Sequence, residues 1–203
     1  MNRPDFTAPH GLSLRAIFRP PQCFFLLLLF VTVTAGGVQL HPGNSYPLTF
    51  TDVDRRQLST ADGHVTIISV VNRRDEAKAE TVGERVTRIT FGDPKFRLIN
   101  LVNFQQNILF PLRGMVSAVI RNRLDAEAKE IQQKYADLHI NRNAREDVFV
   151  VADFDGKAVS QLGISPTSAE FGLFVFDGKG RLVRKWNDVP PPEALAQALK
   201  EAR

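Results

Sequence analysis

The chain has one cysteine in 203 residues, Cys23, and none after it. An intrachain disulfide is therefore impossible, and with it dithiol redox chemistry or any thiol attack from residues 36–203. A domain built from those residues must be held by its apolar core alone, which a length of about 160 residues allows. Histidine is nearly as scarce. His10, His41, His64 and His139 stand far apart, with no H-x-x-x-H and no His/Cys cluster, so a zinc site is not expected. The serines lie in no G-x-S-x-G, and the glycines fall at turns and not in a phosphate-binding loop. Asp153-x-Asp155-Gly156 begins like a calcium loop but lacks the later oxygen ligands and the closing glutamate. A tight turn accounts for it. These patterns lead us to expect no cofactor. A strong charge of one sign is also missing. The net charge is +4, and setting residues 1–35 aside leaves a surplus of two, with the charges interspersed. No attraction to nucleic acid follows from that.

What is present begins at the N-terminus. Arg3, Arg15 and Arg19 precede the uncharged run FFLLLLFVTVTA, Phe24 to Ala35, and the next charge is Asp52. This is the order of an export signal, with Val33-Thr34-Ala35 before Gly36 as a workable cleavage site. An uncleaved anchor reaching about Leu40 is the alternative, at the short limit for a membrane span, and a buried core helix is the bland one. With the arginines inside, signal and anchor alike place the remainder outside the cytoplasm, periplasmic or secreted. The chain thus divides into residues 1–35 as signal or membrane tether, 36–47 as a Pro/Gly-containing linker, and 48–203 as the folded domain.

Within the domain, LTFTDVD and RQLSTADGHV alternate apolar and polar residues around turn signals and predict a β-hairpin. VTIISVV, Val65 to Val71, is rich in β-branched residues and predicts a buried central strand. Asn72 to Asp75 form a turn, after which Ala77, Val82, Val86 and Ile89 recur at helical spacing up to Gly92-Asp93-Pro94. FRLINLV, Phe96 to Val102, is a second strand. Leu112, Val116, Val119, Leu124, Ala128, Ile131, Tyr135 and Leu138 suggest one face of a long helix, with Pro111 near its start. The stretch NILFPLRGMVSAVI, Asn107 to Ile120, is apolar enough for a partner- or membrane-facing surface; a half-buried helix covering the sheet is the commoner explanation. DVFVVA is a third strand, Lys157 to Ile164 a short helix, FGLFVF and Arg181 to Trp186 a hairpin, and EALAQALKEA a closing helix. Alternation early and a hairpin late predict an α/β fold, a mixed central sheet with helices on both faces.

That order resembles the thioredoxin-like superfamily. The stretch VADFDGKAVSQLGISPTSAEFGLFVFDGKGRLVRKW, Val151 to Trp186, is similar to the C-terminal half of redoxins and periplasmic thiol-disulfide proteins. Leu162-Gly163-Ile164 and the turn Asp177 to Gly180 match two of its parts, and the hairpin LTFTDVDRRQLS resembles the lead-in. The likeness covers about Leu48 to Ala202 and implies fold more than function. Among cysteine-poor members it is nearest to periplasmic YtfJ-type proteins and, more distantly, to mitochondrial ATP-synthase assembly factors with a thioredoxin-like core.

Two departures bear on the site. The resemblance implies a Cys-x-x-Cys opening the helix after the first central strand. Here that place holds Asn72, Arg73, Arg74, Asp75 and, three on, Lys78. It also implies a cis-proline before the penultimate strand, a position falling near Glu170 or Phe171, whereas Pro166 comes several residues too early. The candidate ligand or partner surface is therefore Arg73, Arg74, Asp75, Lys78, Glu170 and Phe171. A helix N-terminus flanked by arginines suits an anionic group; a solvated turn with Asp75 as helix cap is the plain alternative. The expected function is an exported, redox-inactive binding or assembly module with an envelope protein as partner and no nucleic acid. Its rivals are an enzyme with non-thiol chemistry near Arg73, Arg74 and Asp75, and a structural envelope protein.

Overall fold

Seven consecutive residues of one strand, Val65–Val71, are buried. A strand covered on both faces needs partners at both edges and a layer above and below, and the rest of the chain supplies them. The structure is a computed structural model that describes residues 39–72, 74–105 and 108–203. Contacts divide the chain after Ala35, and everything described belongs to the unit of residues 36–203. The export or anchor run Phe24 to Ala35 lies outside the described residues. Among the described residues no helix is long and apolar enough to cross a membrane.

The elements are β1 (Thr49–Thr51), β2 (Gln57–Ser59), β3 (Val65–Val71), α1 (Glu76–Thr90), β4 (Phe96–Asn103), α2 (Phe110–Asp137), β5 (Phe149–Asp153), α3 (Lys157–Gln161), β6 (Gly172–Phe176), β7 (Leu182–Trp186) and α4 (Pro192–Ala202). A 3-10 turn, Ala144–Asp147, precedes β5. β1 and β2 pair as a separate antiparallel hairpin. The main sheet runs in the order β5-β4-β3-β6-β7. β3, β4 and β5 are parallel, while β6 and β7 are antiparallel to their neighbours. The expected mixed sheet and the expected order of elements along the chain are both present.

Alternation across the pleat divides the core in two. Ile68, Val70, Ile99, Leu101, Phe174 and Phe176 pack with hairpin residues Phe50 and Leu58 and with Val159 of α3. Leu40 joins them at 1% exposure, so the stretch read as a linker contributes to the core from residue 40. On the other face, Ile67, Leu173 and Val175 meet Val82 and Val86 of α1 and Leu195 and Leu199 of α4. Ala77 and Ile89, counted with the buried face of α1, are exposed.

The long helix differs more from expectation. Leu124, Ala128 and Tyr135 are buried, but Leu112 and Val119 are 45% and 55% exposed. The apolar positions do not share one face. Each residue turns the helix by about 100°, so the five-residue step from Val119 to Leu124 rotates the apolar direction by about 140°. The second half of α2 covers Val148 and Val150, while Leu112, Met115 and Val119 of the first half are exposed among the described residues.

At the amino end of β4, Arg97 is only 5% exposed. Its guanidinium donates to both oxygens of Asp62, at 2.9 and 3.1 Å, and to the Thr66 hydroxyl at 3.0 Å. It also donates to the Ser59 carbonyl. This pins the residues after β2 to the sheet. Burial raises the Asp62 pKa, but hydrogen bonds from Arg97 and His64 and the charge of Arg97 outweigh it, bringing the carboxyl to about 2.

Two predictions follow from this packing. Leu173→Ala, at a site fully buried between α1 and α4, will cost about 2–5 kcal/mol in urea unfolding, while Leu112→Ala will change stability by less than about 0.5 kcal/mol. For Asp62 the folded pKa lies below the unfolded one, so its contribution is complete above about pH 4 and is lost as pH falls towards 2. The stability gap between wild type and Asp62→Asn will accordingly narrow across that window in parallel urea titrations.

Candidate functional site

β3 delivers its last polar residues to one edge of the sheet. Asn72 follows the strand directly and is 7% exposed. Its amide donates to the carboxylate of Asp75 and, at 2.6 Å, to the backbone carbonyl of Ala169. Its oxygen accepts the Arg74 backbone N–H at 2.7 Å. Both amide hydrogens and the amide oxygen are therefore engaged, and the turn before α1 is tied to the segment before β6.

Asp75 stands at the N-cap position of α1, yet its side chain accepts no amide of that helix. The cap expected from sequence is thus absent, because the carboxylate is turned to Asn72. The turn is not solvated at this residue either: Asp75 is 9% exposed. Lys78 lies 3.9 Å from Asp75 and 2.9 Å from Asp188, and its ammonium stands 5.5 Å over the ring of Phe171. The hydrogen bond to Asp188 holds the Lys78 pKa above its ordinary value and the Asp188 pKa below. Lys78 is therefore a fixed cation, not a base. Negative charge at the α1 amino end is already provided by Asp75 and Glu76.

Of the candidate residues, Asp75, Lys78 and Phe171 come together; Phe171 is buried at 4% exposure. Arg74 and Glu170 flank them and are exposed. Arg73 lies outside the described residues. Sequence reasoning missed the second anchor of the same segment. Asn103, at the carboxyl end of β4, donates to the Ser168 carbonyl at 3.1 Å, and Gln105 does so at the same distance. Asp153 closes the third parallel strand by accepting the Gly156 and Val159 amides, both at 2.8 Å. The available signal was positional: a polar residue directly after each apolar strand run, where parallel strands open to a crevice.

Pro166 takes no part in this cluster. It packs on the turn after β5, where a Cβ on Gly156 would stand 2.2 Å from the proline Cβ, and Gly156 has φ +78°. Among the described residues there is no cis peptide bond. Nor do three or more His, Cys, Asp or Glu side chains gather there as metal ligands. An open pocket of about 450 Å³ lies elsewhere, beside β7 and α4 between Pro42, Arg184 and Glu201.

No protein-family model and no curated protein sequence matches the chain. Solved structures do. A candidate thiol:disulfide interchange protein, DsbE, from Chlorobium tepidum aligns at TM-score 0.50 and 12% identity, over 81% of this chain and 99% of that one. A candidate protein disulfide isomerase from Bacteroides thetaiotaomicron aligns at 0.50 and 13%, over 82% and 92%. The fold is thioredoxin-like. The matches reach that fold and no narrower group, so the nearer likeness to YtfJ-type proteins gains no support from them.

In this thioredoxin-like domain the turn where the fold's enzymes open a helix on a cysteine pair is a hydrogen-bonded latch, Asn72 to Asp75 and Ala169. Its removal is testable. Asn72→Ala leaves the Ala169 carbonyl and a mostly buried carboxylate without their donor, and will cost about 1–3 kcal/mol. Hydrogen exchange will rise in residues 166–172. Arg74→Ala, which keeps the backbone bond to Asn72, will change neither.

Proposed function

We propose that this chain is an exported, redox-inactive thioredoxin-like domain serving as a binding or assembly module in the cell envelope. The observation that carries the reading is the latch itself. Where the fold's enzymes present sulfur, Asn72 and Asp75 spend their polar groups on each other and on Ala169, and Lys78 is neutralised by Asp188. Among the described residues exposed around it are Arg74 and Glu170, which carry opposite charges. Such a surface suits recognition of a protein more than transformation of a small molecule.

Export rests on the N-terminal order of arginines and then an apolar run, with Phe24 to Ala35 as signal or tether. A rival reading places non-thiol chemistry at Asp75, whose carboxylate is only 12% exposed. The latch takes one oxygen of that carboxylate and Lys78 stands 3.9 Å from the other, so the two readings are separated by a turnover assay.

Photo-crosslinking in intact envelopes tests the proposal. Probes replacing Arg74 and Glu170 in the full chain will capture one and the same envelope protein in stoichiometric yield, and a probe replacing exposed Gln57 on β2 will not. Turnover of a substrate by the purified chain, abolished in Asp75→Ala, would overturn the reading in favour of an enzyme.

A further inference from the structure

Strand β4 lies inside the main sheet, yet one of its faces is only partly covered. Its residues alternate between half-buried and buried along the whole strand, and the half-buried set is Phe96, Leu98, Asn100 and Val102. This face carries both α1 and α2, since Leu98 and Val102 pack with Val82 and Val86, and Val102 also with Leu124. The two helices meet at their carboxyl ends. There the Phe91 ring stands edge-on to Tyr135, 5.3 Å between centroids, and Arg142 donates to the Gly92 carbonyl at 3.3 Å. Towards the amino ends, Leu98, Asn100 and Val102 form a half-buried floor between them.

Helical rotation assigns the walls, because each residue turns a helix by about 100°. Lys78 and Arg85 of α1 bond to Asp188 and to the Pro190 carbonyl, on the α4 side. Gly83, two residues from Arg85, therefore faces the opposite flank, towards α2. A Cβ added at Gly83 would meet nothing within 4 Å. Glycine inside a helix is destabilising relative to alanine, and no close neighbour requires this one; what it provides is space. Arg121 and Asp125 of α2 bond outwards, to the Val53 carbonyl and to Arg145, which leaves Val116 and Ile120 on the flank towards α1. The floor of this slot is not wholly apolar. The hydroxyl of Ser69, a residue with 0% exposure, and the amide oxygen of Asn100 are buried without a hydrogen-bond partner among the described residues. The two residues stand side by side in register on β3 and β4. Leaving such groups unmet is costly, so a donor supplied from outside would be favoured there.

We propose that the slot between α1 and α2 binds a single apolar chain ending in a neutral hydrogen-bonding head, a long-chain alcohol or primary amide. The head donates to Asn100 Oδ1 and shares a hydrogen bond with the Ser69 hydroxyl, and the chain lies along Val102 between Gly83 and Val116. Width decides between occupants. α1 packs on β3 and β4 and α2 on β5, and β3 and β5 are two strand spacings, about 10 Å, apart. A third helix, about 10–12 Å across with its side chains, does not fit between them. An extended peptide would bring an amide and a carbonyl at every residue, against two polar groups on the floor. An ionised head is disfavoured too, since among the described residues no cation bonds to Ser69 or Asn100 to offset its desolvation. The inference goes beyond the binding-module reading and does not depend on it, since it uses other residues.

The test is photolabelling of the full chain, with the label assigned by peptide mass spectrometry so that capture by the N-terminal run is scored apart. The probe is 1-decanol carrying a diazirine near the far end of its chain, and the control is the same molecule with hydrogen in place of the hydroxyl. The alcohol will label α1 and the first half of α2, around Gly83 and Val116. The hydrocarbon will label them about tenfold less, the scale of one or two net hydrogen bonds. Gly83→Leu, which fills the slot, will lower labelling by the alcohol about tenfold, and so will Asn100→Leu, which removes the acceptor. Both variants will melt at or above the wild-type temperature, since one fills open space and the other removes an unmet polar group. The comparison of the two probes in the unaltered chain holds whatever the variants do to folding. Equal labelling by both probes, or labelling unchanged in Gly83→Leu, would overturn the proposal. So would label confined to the N-terminal run, which would leave the two oxygens to buried water.

Discussion

Burial of β3 on both faces is the constraint on which the other features depend. A strand of seven buried residues has no solvated side, so every backbone amide must find a neighbour strand and every side chain a covering layer. β4 and β6 provide the ladders; α1 and α4 cover one face, and the β1–β2 hairpin with α3 covers the other. Polar residues are then confined mainly to the strand ends. Ser69 and Asn100, paired in register, are exceptions at the centre, and the Ser69 hydroxyl and the Asn100 amide oxygen are buried without a partner among the described residues.

The two ends of the sheet solve the same problem by different means. At one, Arg97 is desolvated and stabilised by Asp62 and by neighbouring oxygens, which locks the segment after the hairpin against the sheet. At the other, Asn72, Asn103 and Asp153 close the three parallel strands by bonding to loop backbone. Side chains at strand ends are where an α/β fold places its chemistry. In this chain they hold the segment before β6 and the turn after β5, so most of their hydrogen-bonding capacity goes to loop backbone. That is the physical content of the contrast with the cysteine-bearing members of the fold.

Much of the fold was legible because strong local patterns agreed with it. VTIISVV and FGLFVF are β-rich runs bounded by turn residues, and both became buried strands. Helix α2 was legible in extent but not in orientation. Its apolar residues keep helical spacing within each half, and only the five-residue step between Val119 and Leu124 shows that the halves look in different directions. Leu40 was missed for a different reason. A lone leucine among Pro, Gly and polar residues has no period, and its burial depends on a contact with strands far along the chain. The candidate residues were chosen by position, at 72–78 and 170–171, and how they are bonded was not legible. Asp75 before a helix reads as a cap by every local rule, and what turns its carboxylate away is Asn72, itself held by Ala169 almost a hundred residues on.

Composition alone determined that residues 36–203 cannot run dithiol chemistry, and periodicity determined the order of strands and helices around the place where a thiol pair would stand. Both are local properties, readable one residue or one turn at a time. What occupies that place was decided by the tertiary structure. A hydrogen-bonded latch forms only when segments distant in sequence meet, and whether an apolar side chain is core or surface depends on what the fold lays over it. Phe110, Leu112, Met115 and Val119 are exposed among the described residues, and helical spacing alone does not tell an exposed apolar side chain from a buried one.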